Sequence, residues 1–299
     1  MAPKAKRARK DVYDSDSPSR SEEEYDLDLF KSSSSAFGVY EEKGLRINIR
    51  GTDDVSEVFP EHSDVQTDPD FDHLKLEGFD YDQILTFVPT KHEELSENQR
   101  RFLMKLRHVL INNMSESSDS RFEMYIHAFV DVLFNECKLD DALHLEMLPS
   151  RLKLLISDRV YAAHSDREGR KDDQLVWVLQ ESKHIQDTRY KNGEIQLVSA
   201  LIAACQHNYN KFGEEIFPQV MYGINIRADE VTIIRTIFSR EYMLSLFSGV
   251  PQRTLKVKKY PKRTGLKISS YESRCRILSL MTKLRKHALS INIGAASTS

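Results

Sequence analysis

The 299-residue chain is poor in cysteine, in long apolar runs and in the short motifs of several enzyme classes. Its three cysteines, Cys137, Cys205 and Cys275, are far apart and form no CxxC or Cys/His zinc spacing, which predicts reduced thiols in a cytosolic or nuclear compartment. The longest uncharged apolar stretch, IQLVSALIAAC, has 11 residues, too few to span a bilayer. A glycine-rich phosphate loop, an HExxH motif and a nucleophile elbow are also absent, so nothing in the sequence supports those chemistries.

The first 36 residues predict an unfolded arm. They contain few apolar residues and many Ser, Asp and Glu, so they cannot bury enough surface to offset the entropy of ordering. The initial MAPKAKRARKD has no apolar core behind it, which argues against a secretory signal, and it is typical of a basic nuclear-import patch. We expect a nuclear or cytoplasmic protein.

Charge is distributed unevenly. Residues 251–299 contain 12 Lys and Arg and one acidic residue, a net charge of +11, so the other 250 residues carry −14 of the overall −3. This asymmetry predicts a polyanionic partner or self-association, and a solvated basic surface is the alternative. We expect salt-sensitive, largely sequence-independent binding of nucleic acid, with DNA as the favoured form. The predicted contact residues are Arg253, Lys256, Lys258, Lys259, Lys262, Arg263 and Lys267.

Hydrophobic periodicity predicts an α/β core with a mixed sheet over residues 96–250. Residues 37–95 give a weak signal, and residues 251–299 predict a basic extension that ends in an amphipathic helix. Two amphipathic helices, from about residue 96 and over 121–136, precede the predicted strands. These are a strand over 152–163, the strand LVWVLQESK, and, after a buried helix, the strands QVMYGINIR and VTIIRTIFS.

The strand LVWVLQESK ends in a carboxylate and an ammonium on one face. Alternation places Glu181 and Lys183 on the same face, and Asp158 occupies the matching position of the preceding predicted strand. Two carboxylates converging at strand ends repel each other unless a divalent cation lies between them. An ordinary salt-bridged strand end is the alternative, because ExK also occurs at Glu41 and at Glu136 in less suggestive contexts.

The succession ISDRVYAA, LVWVLQESKH and IQLVSALIAACQHN resembles the PD-(D/E)XK nuclease superfamily. It is most similar to the nuclease-like C-terminal domain of Crinkler-type proteins of fungi and oomycetes, over roughly residues 118 to 240. The resemblance implies a restriction-endonuclease-like core of helix, mixed sheet and helix, which hydrolyses DNA phosphodiester bonds with Mg²⁺ (or Mn²⁺). In this chain Ser157 stands where the motif has Pro, and Ala200 replaces a Tyr found in some branches.

The resemblance also implies the roles of individual residues. Asp158 and Glu181 would bind the metal, Lys183 would be the catalytic lysine, and Gln196 would orient the site or contact the substrate backbone. Glu123 corresponds to the acidic residue of the first core helix and would assist Asp158 and Glu181 in binding the metal, although Ser120–Glu123 also reads as a helix capping box. The resemblance also leaves open delivery into a host cell as an effector. We expect His164 and Asp166 to lie in a turn, where they could line a cleft mouth.

Three functions therefore follow from the sequence. The leading one is a Mg²⁺-dependent nuclease. The second is a catalytically inactive nuclease fold that binds nucleic acid or nuclear partners, and the third is a structural α/β module with surface ion pairs. The intact Asp, Glu and Lys set favours catalysis, while the oligomeric state is open and no membrane partner is expected.

Overall fold

The computed structural model of the protein describes residues 25–114, 123–141, 143–182 and 190–291. A mixed β-sheet runs through this part of the chain. Within these residues the strand order is β1-β9-β8-β7-β6-β5-β2, with β10 paired to β8, and β3 and β4 form a separate hairpin. The pairs β6–β7 and β9–β1 are parallel and the others antiparallel. The strands are β1 (Ile47–Gly51), β2 (Glu146–Pro149), β3 (Leu152–Ile156), β4 (Arg159–Ala163), β5 (Arg167–Lys171), β6 (Gln174–Ser182), β7 (Gln219–Arg227), β8 (Glu230–Phe238), β9 (Leu255–Tyr260) and β10 (Leu266–Lys267).

Helices cover both faces of the sheet, so the predicted α/β class with a mixed sheet is confirmed. Helices α3, α4 and α7 pack with Trp177 and Tyr222 on one face, and α5 and α6 pack with Val178 and Ile234 on the other. None of the described helices is both long and apolar enough to cross a membrane. The helices are α1 (Val39–Gly44), α2 (Tyr81–Leu85), α3 (Glu97–Met114), α4 (Met124–Glu136), α5 (Tyr190–Phe212), α6 (Arg240–Ser248) and α7 (Tyr271–Ser290).

The central strand β6 is held by burial on both faces. Its five apolar residues from Leu175 to Leu179 are fully buried, and each such side chain contributes about 1.5–3 kcal/mol on leaving water. The indole of Trp177 lies directly over Gly169 of β5, where a Cβ would fall 1.9 Å from the ring. Only glycine therefore permits this approach, which fixes β5 against β6 at the point where their register shifts.

Two side-chain amides of α5 attach this helix to neighbouring strands. Asn208 accepts from Leu175 N–H (2.9 Å) and donates to its carbonyl (2.8 Å). Gln206 makes the same pair of bonds with the backbone of Leu155, at 2.8 and 2.7 Å. Each amide thus forms the two backbone hydrogen bonds that a neighbouring strand would otherwise form with that residue. These bonds satisfy backbone groups that would otherwise be buried without partners. The QHN segment of the resemblance is therefore structural at these two positions.

The predicted single strand over 152–163 is wrong, because the chain reverses in its middle. Residues Ser157 and Asp158 form the turn between β3 and β4, and Ser157 has a positive φ of 56°. Ser and Asp favour turns because their side chains bond to nearby backbone. The apolar residues on either side then pair with each other as a hairpin.

The expected division into a core and two appendages is also not seen. Strand β9, from the basic extension, lies inside the sheet between β8 and β1, and α7 contributes buried residues to the same core. From the region with a weak signal come β1 and the buried Phe59 and Phe71. Of the predicted unfolded arm, residues 1–24 lie outside the described part, and residues 25–36 contain two short 3-10 helices and the buried Phe30.

Candidate active site

Glu181 ends β6 with a fully buried carboxylate. Its side chain has 0% exposure and lies on the same face as Leu179 and Trp177. Arg167 Nε lies 3.5 Å from Oε1, and His127 Nδ1 contacts Oε2. Neither oxygen accepts a hydrogen bond of ordinary geometry from any described residue. A buried carboxylate in this state is costly unless a cation offsets its charge.

Asp166 lies beside Glu181 at the start of the neighbouring strand. Its Oδ2 accepts a hydrogen bond of 2.6 Å from Glu181 N–H, and its own N–H donates to Leu179 O at 2.9 Å. Asp166 thereby continues the β5–β6 pairing by one residue. The residue directly before β5 and the end of β6 therefore lie side by side, and each carries a carboxylate.

One face of α4 approaches the same end of the sheet. Glu123, His127 and Asp131 follow at intervals of four residues, which places them on one side of the helix. Asp131 Oδ1 forms an ion pair with Arg167 at 2.8 Å, so Arg167 lies between the carboxylates of α4 and β6. The side chain of Asp131 is 45% exposed, and this ion pair holds it at this end of the sheet.

The proximity of these acids alters their proton affinity. Burial first, and then the charge of Asp166, raises the pKa of Glu181 from 4.5 to about 8, against a smaller opposing effect of Arg167. Burial also raises the pKa of Asp166, while the hydrogen bond from Glu181 N–H lowers it. The charge of Glu123 raises both pKa values. The charge of Asp131 also raises the pKa of Glu181, so four acids, Glu181, Asp166, Asp131 and Glu123, interact electrostatically at this end of the sheet.

Asp158 does not belong to this group, so its predicted place opposite Glu181 is wrong. It is exposed in the β3–β4 turn, and that hairpin is not part of the main sheet. The strand that precedes β6 in the sheet is β5, and its polar sequence, within SDREGRK, lacks the apolar alternation that would predict a strand. The carboxylate beside Glu181 is that of Asp166.

The remaining predicted site residues divide in two. Lys183 lies outside the described residues. Gln196 is on α5 and donates to His164 O at 3.2 Å, which ties the helix to the loop two residues before Asp166. This contact fits a positioning role for Gln196.

The other two ExK glutamates have structural partners. Glu41 accepts hydrogen bonds from Gly38 N–H (2.7 Å) and Lys31 N–H (3.1 Å). Glu136 forms ion pairs with His73 at 2.9 Å and with Arg101 at 3.1 Å. Both are therefore explained without a ligand, unlike Glu181.

The sheet divides the predicted nucleic-acid contacts between its two ends. Arg253 pairs with Glu241 (3.5 Å), Lys258 contacts Glu57, and Lys256 is at the start of β9, far from the Glu181 end. Lys259 is buried against Glu194 at 2.8 Å. Exposed side chains at the Glu181 end belong to Lys262, Arg263 and Lys267.

Strand register places Lys267 relative to the candidate site. Glu181 is in register with Ile226, Ile226 with Val231, and Val231 with Leu266. Three strand spacings separate Glu181 from Leu266, about 14 Å at the usual spacing of neighbouring strands. The basic segment around β10 is therefore at the same end of the sheet as the two carboxylates.

The donor set is compatible with a hard divalent cation. Among the described residues no three His, Cys, Asp or Glu side chains form a ready-made metal site. Mg²⁺, however, is commonly held by one or two carboxylates, with water and substrate phosphates completing its shell. The buried Glu181 oxygens and the adjacent Asp166 meet that requirement.

Sequence reasoning placed Asp166 only at a cleft mouth, not beside Glu181, and it missed Arg167 together with His127 and Asp131 of α4. A four-residue spacing of Glu123, His127 and Asp131 was visible, but only the structure shows which side of the helix faces the sheet. The charged sequence of β5 concealed the strand, because its charges are compensated by partners distant in sequence, such as Asp131.

Comparison with known proteins did not identify a relative. No protein-family model matches the chain, and no curated protein matches it.

Proposed function

We propose that the protein is a Mg²⁺-dependent nuclease with a restriction-endonuclease-like core, in which Asp166 and Glu181 hold the cation. The observation that carries the proposal is the Asp166–Glu181 pair, in which a fully buried carboxylate that accepts no ordinary hydrogen bond from the described residues lies against a second acid. The order α4, β5, β6, α5 and β7 supports it, since it provides the helix, sheet and helix that the resemblance implies.

Each residue of the site has a role in this proposal. A bound Mg²⁺ (or Mn²⁺) would polarise the phosphate and stabilise the charge of the transition state. Glu123 adds negative charge from α4, and Gln196 fixes the loop before Asp166. Lys183 follows Glu181 by two residues and is proposed to orient the attacking water. The basic segment Lys262–Lys267 contacts the phosphate backbone of DNA.

Cleavage of supercoiled plasmid tests the proposal. The wild type is expected to convert it to nicked and linear forms with Mg²⁺ and to leave it intact with EDTA. Glu181→Gln and Lys183→Ala, purified in parallel, are expected to lose at least about a hundredfold in rate, as removal of an electrostatic catalytic group commonly causes. Equal cleavage by wild type and both variants would point to a contaminant and reject the proposal.

A nuclease fold that only binds nucleic acid is the second candidate. It is favoured by the contacts of His127 and Arg167 with Glu181, which partly neutralise the carboxylate without a metal. In that case the wild type would bind DNA with and without Mg²⁺ and cleave it in neither condition.

A further inference from the structure

Arg167 is the residue whose contacts the nuclease proposal leaves unused. It directly follows Asp166 and shares the sheet face of Glu181, because it is in register with Leu179. Its guanidinium forms an ion pair with Asp131 at 2.8 Å and lies 3.5 Å from the Glu181 carboxylate. The Arg167 side chain is 23% exposed, so part of its guanidinium is accessible to solvent.

We propose that Arg167 is a resident counter-ion of Glu181 that exchanges partners when the site is loaded. The divalent cation takes the Glu181 carboxylate, and the guanidinium turns to the phosphate of the substrate while Asp131 retains it. This inference rests on the proposed nuclease function and adds a phosphate-binding residue to it.

The geometry favours exchange over a permanent salt bridge. The Arg167–Glu181 ion pair is long at 3.5 Å, whereas the Arg167–Asp131 ion pair is close at 2.8 Å. A guanidinium has five N–H donors in a planar fork that matches phosphate oxygens. Two contacts leave donors available, so Arg167 can remain attached to α4 through Asp131 while it binds an anion.

Two opposite effects on binding follow for Arg167→Gln. The positive charge beside Glu181 opposes a divalent cation, so its removal is expected to tighten Mg²⁺ binding by about tenfold. Loss of the fork is expected to weaken inorganic phosphate binding to the Mg²⁺-loaded protein by about tenfold or more. Arg167→Lys keeps the charge without the fork, so it should weaken phosphate binding while leaving Mg²⁺ affinity near that of the wild type.

Isothermal titration calorimetry of the full chain with Mg²⁺, and then with inorganic phosphate at saturating Mg²⁺, tests the exchange. Arg170→Gln is the matched control, because Arg170 is on the same strand and pairs with Glu168 at 2.9 Å. Thermal unfolding of every variant verifies folding. Tighter Mg²⁺ and weaker phosphate binding in Arg167→Gln alone would support the proposal.

The other outcomes separate this inference from the nuclease proposal. If the wild type binds Mg²⁺ and Arg167→Gln weakens both ligands, or changes neither, Arg167 is a structural residue and the exchange is rejected. If the wild type itself binds no Mg²⁺, the proposed function fails and the exchange fails with it.

Discussion

Replacement of Glu181 by Gln should make the protein more stable, increasingly so as the pH rises. Burial and Asp166 raise the pKa of Glu181 from 4.5 to about 8, so the folded protein favours the neutral acid. The stabilisation from that proton is fully present below the unfolded-state pKa and is lost as the pH rises through the folded-state pKa. Gln is neutral at every pH and keeps its stability across this window.

The magnitude follows from the two pKa values. Between roughly pH 4.5 and 7 the unfolded chain releases the Glu181 proton while the folded protein retains it, which lowers the stability of the wild type by about 3 kcal/mol, as an upper limit from linkage. Urea unfolding in EDTA at several pH values between about 5 and 8 measures it as a growing difference in stability. Glu57→Gln is the control, since a hydrogen bond from Lys258 lowers the pKa of Glu57 and the variant gains nothing as the pH rises.

Mg²⁺ should reverse the order of the two proteins. It stabilises the ionised wild type by about 2.7 kcal/mol at a hundred times its dissociation constant, whereas Glu181→Gln lacks the charge that holds it. If the wild type and Glu181→Gln were equally stable at every pH from acid to alkaline, the Glu181 carboxylate would not be buried beside other acidic groups. The electrostatic description of the site would then be refuted.

Three further predictions concern the scaffold and the basic surface. Asn208→Ala should cost about 2–4 kcal/mol in urea unfolding, because it leaves both backbone groups of Leu175 buried without partners, while Asn210→Ala, at an exposed position of the same helix, should be nearly neutral. Gly169→Ala should cost at least about 1–3 kcal/mol and change the fluorescence of Trp177, the only tryptophan; an unchanged spectrum and stability would contradict the close approach. The double variant Lys262→Glu/Lys267→Glu, at the Glu181 end of the sheet, should weaken binding of labelled DNA and lower its salt dependence more than Arg253→Glu/Lys256→Glu, at the opposite end. Equal losses of affinity would mean that DNA does not bind preferentially at the Glu181 end.

The sequence predicted those elements whose pattern depends on local periodicity. Strand β6 and helices α3 and α5 have strong apolar patterns, and their burial was correctly expected. Strand β5 was not predicted, because its charges are compensated through contacts such as Arg167–Asp131 that depend on the tertiary fold. Strand β9 looked like an exposed extension, since nothing in a basic segment shows that β1 will pair with it.

The candidate site was predicted in part for the same reason. Glu181 was found because it closes an apolar strand, a local feature. Its partner was assigned to Asp158 because a Ser–Asp turn and a strand interior look alike when apolar residues flank both sides. Only the pairing of β5 with β6 distinguishes Asp166 from Asp158.

Parallel substitution of these two aspartates tests the central claim most directly. Asp166→Asn and Asp158→Asn remove the same charge eight residues apart, one beside Glu181 and the other in an exposed turn. In a Mg²⁺-dependent plasmid-cleavage assay, Asp166→Asn should reduce the rate by at least about a hundredfold, and Asp158→Asn should cleave like the wild type. Loss of cleavage in Asp158→Asn with normal cleavage in Asp166→Asn would contradict the site described here.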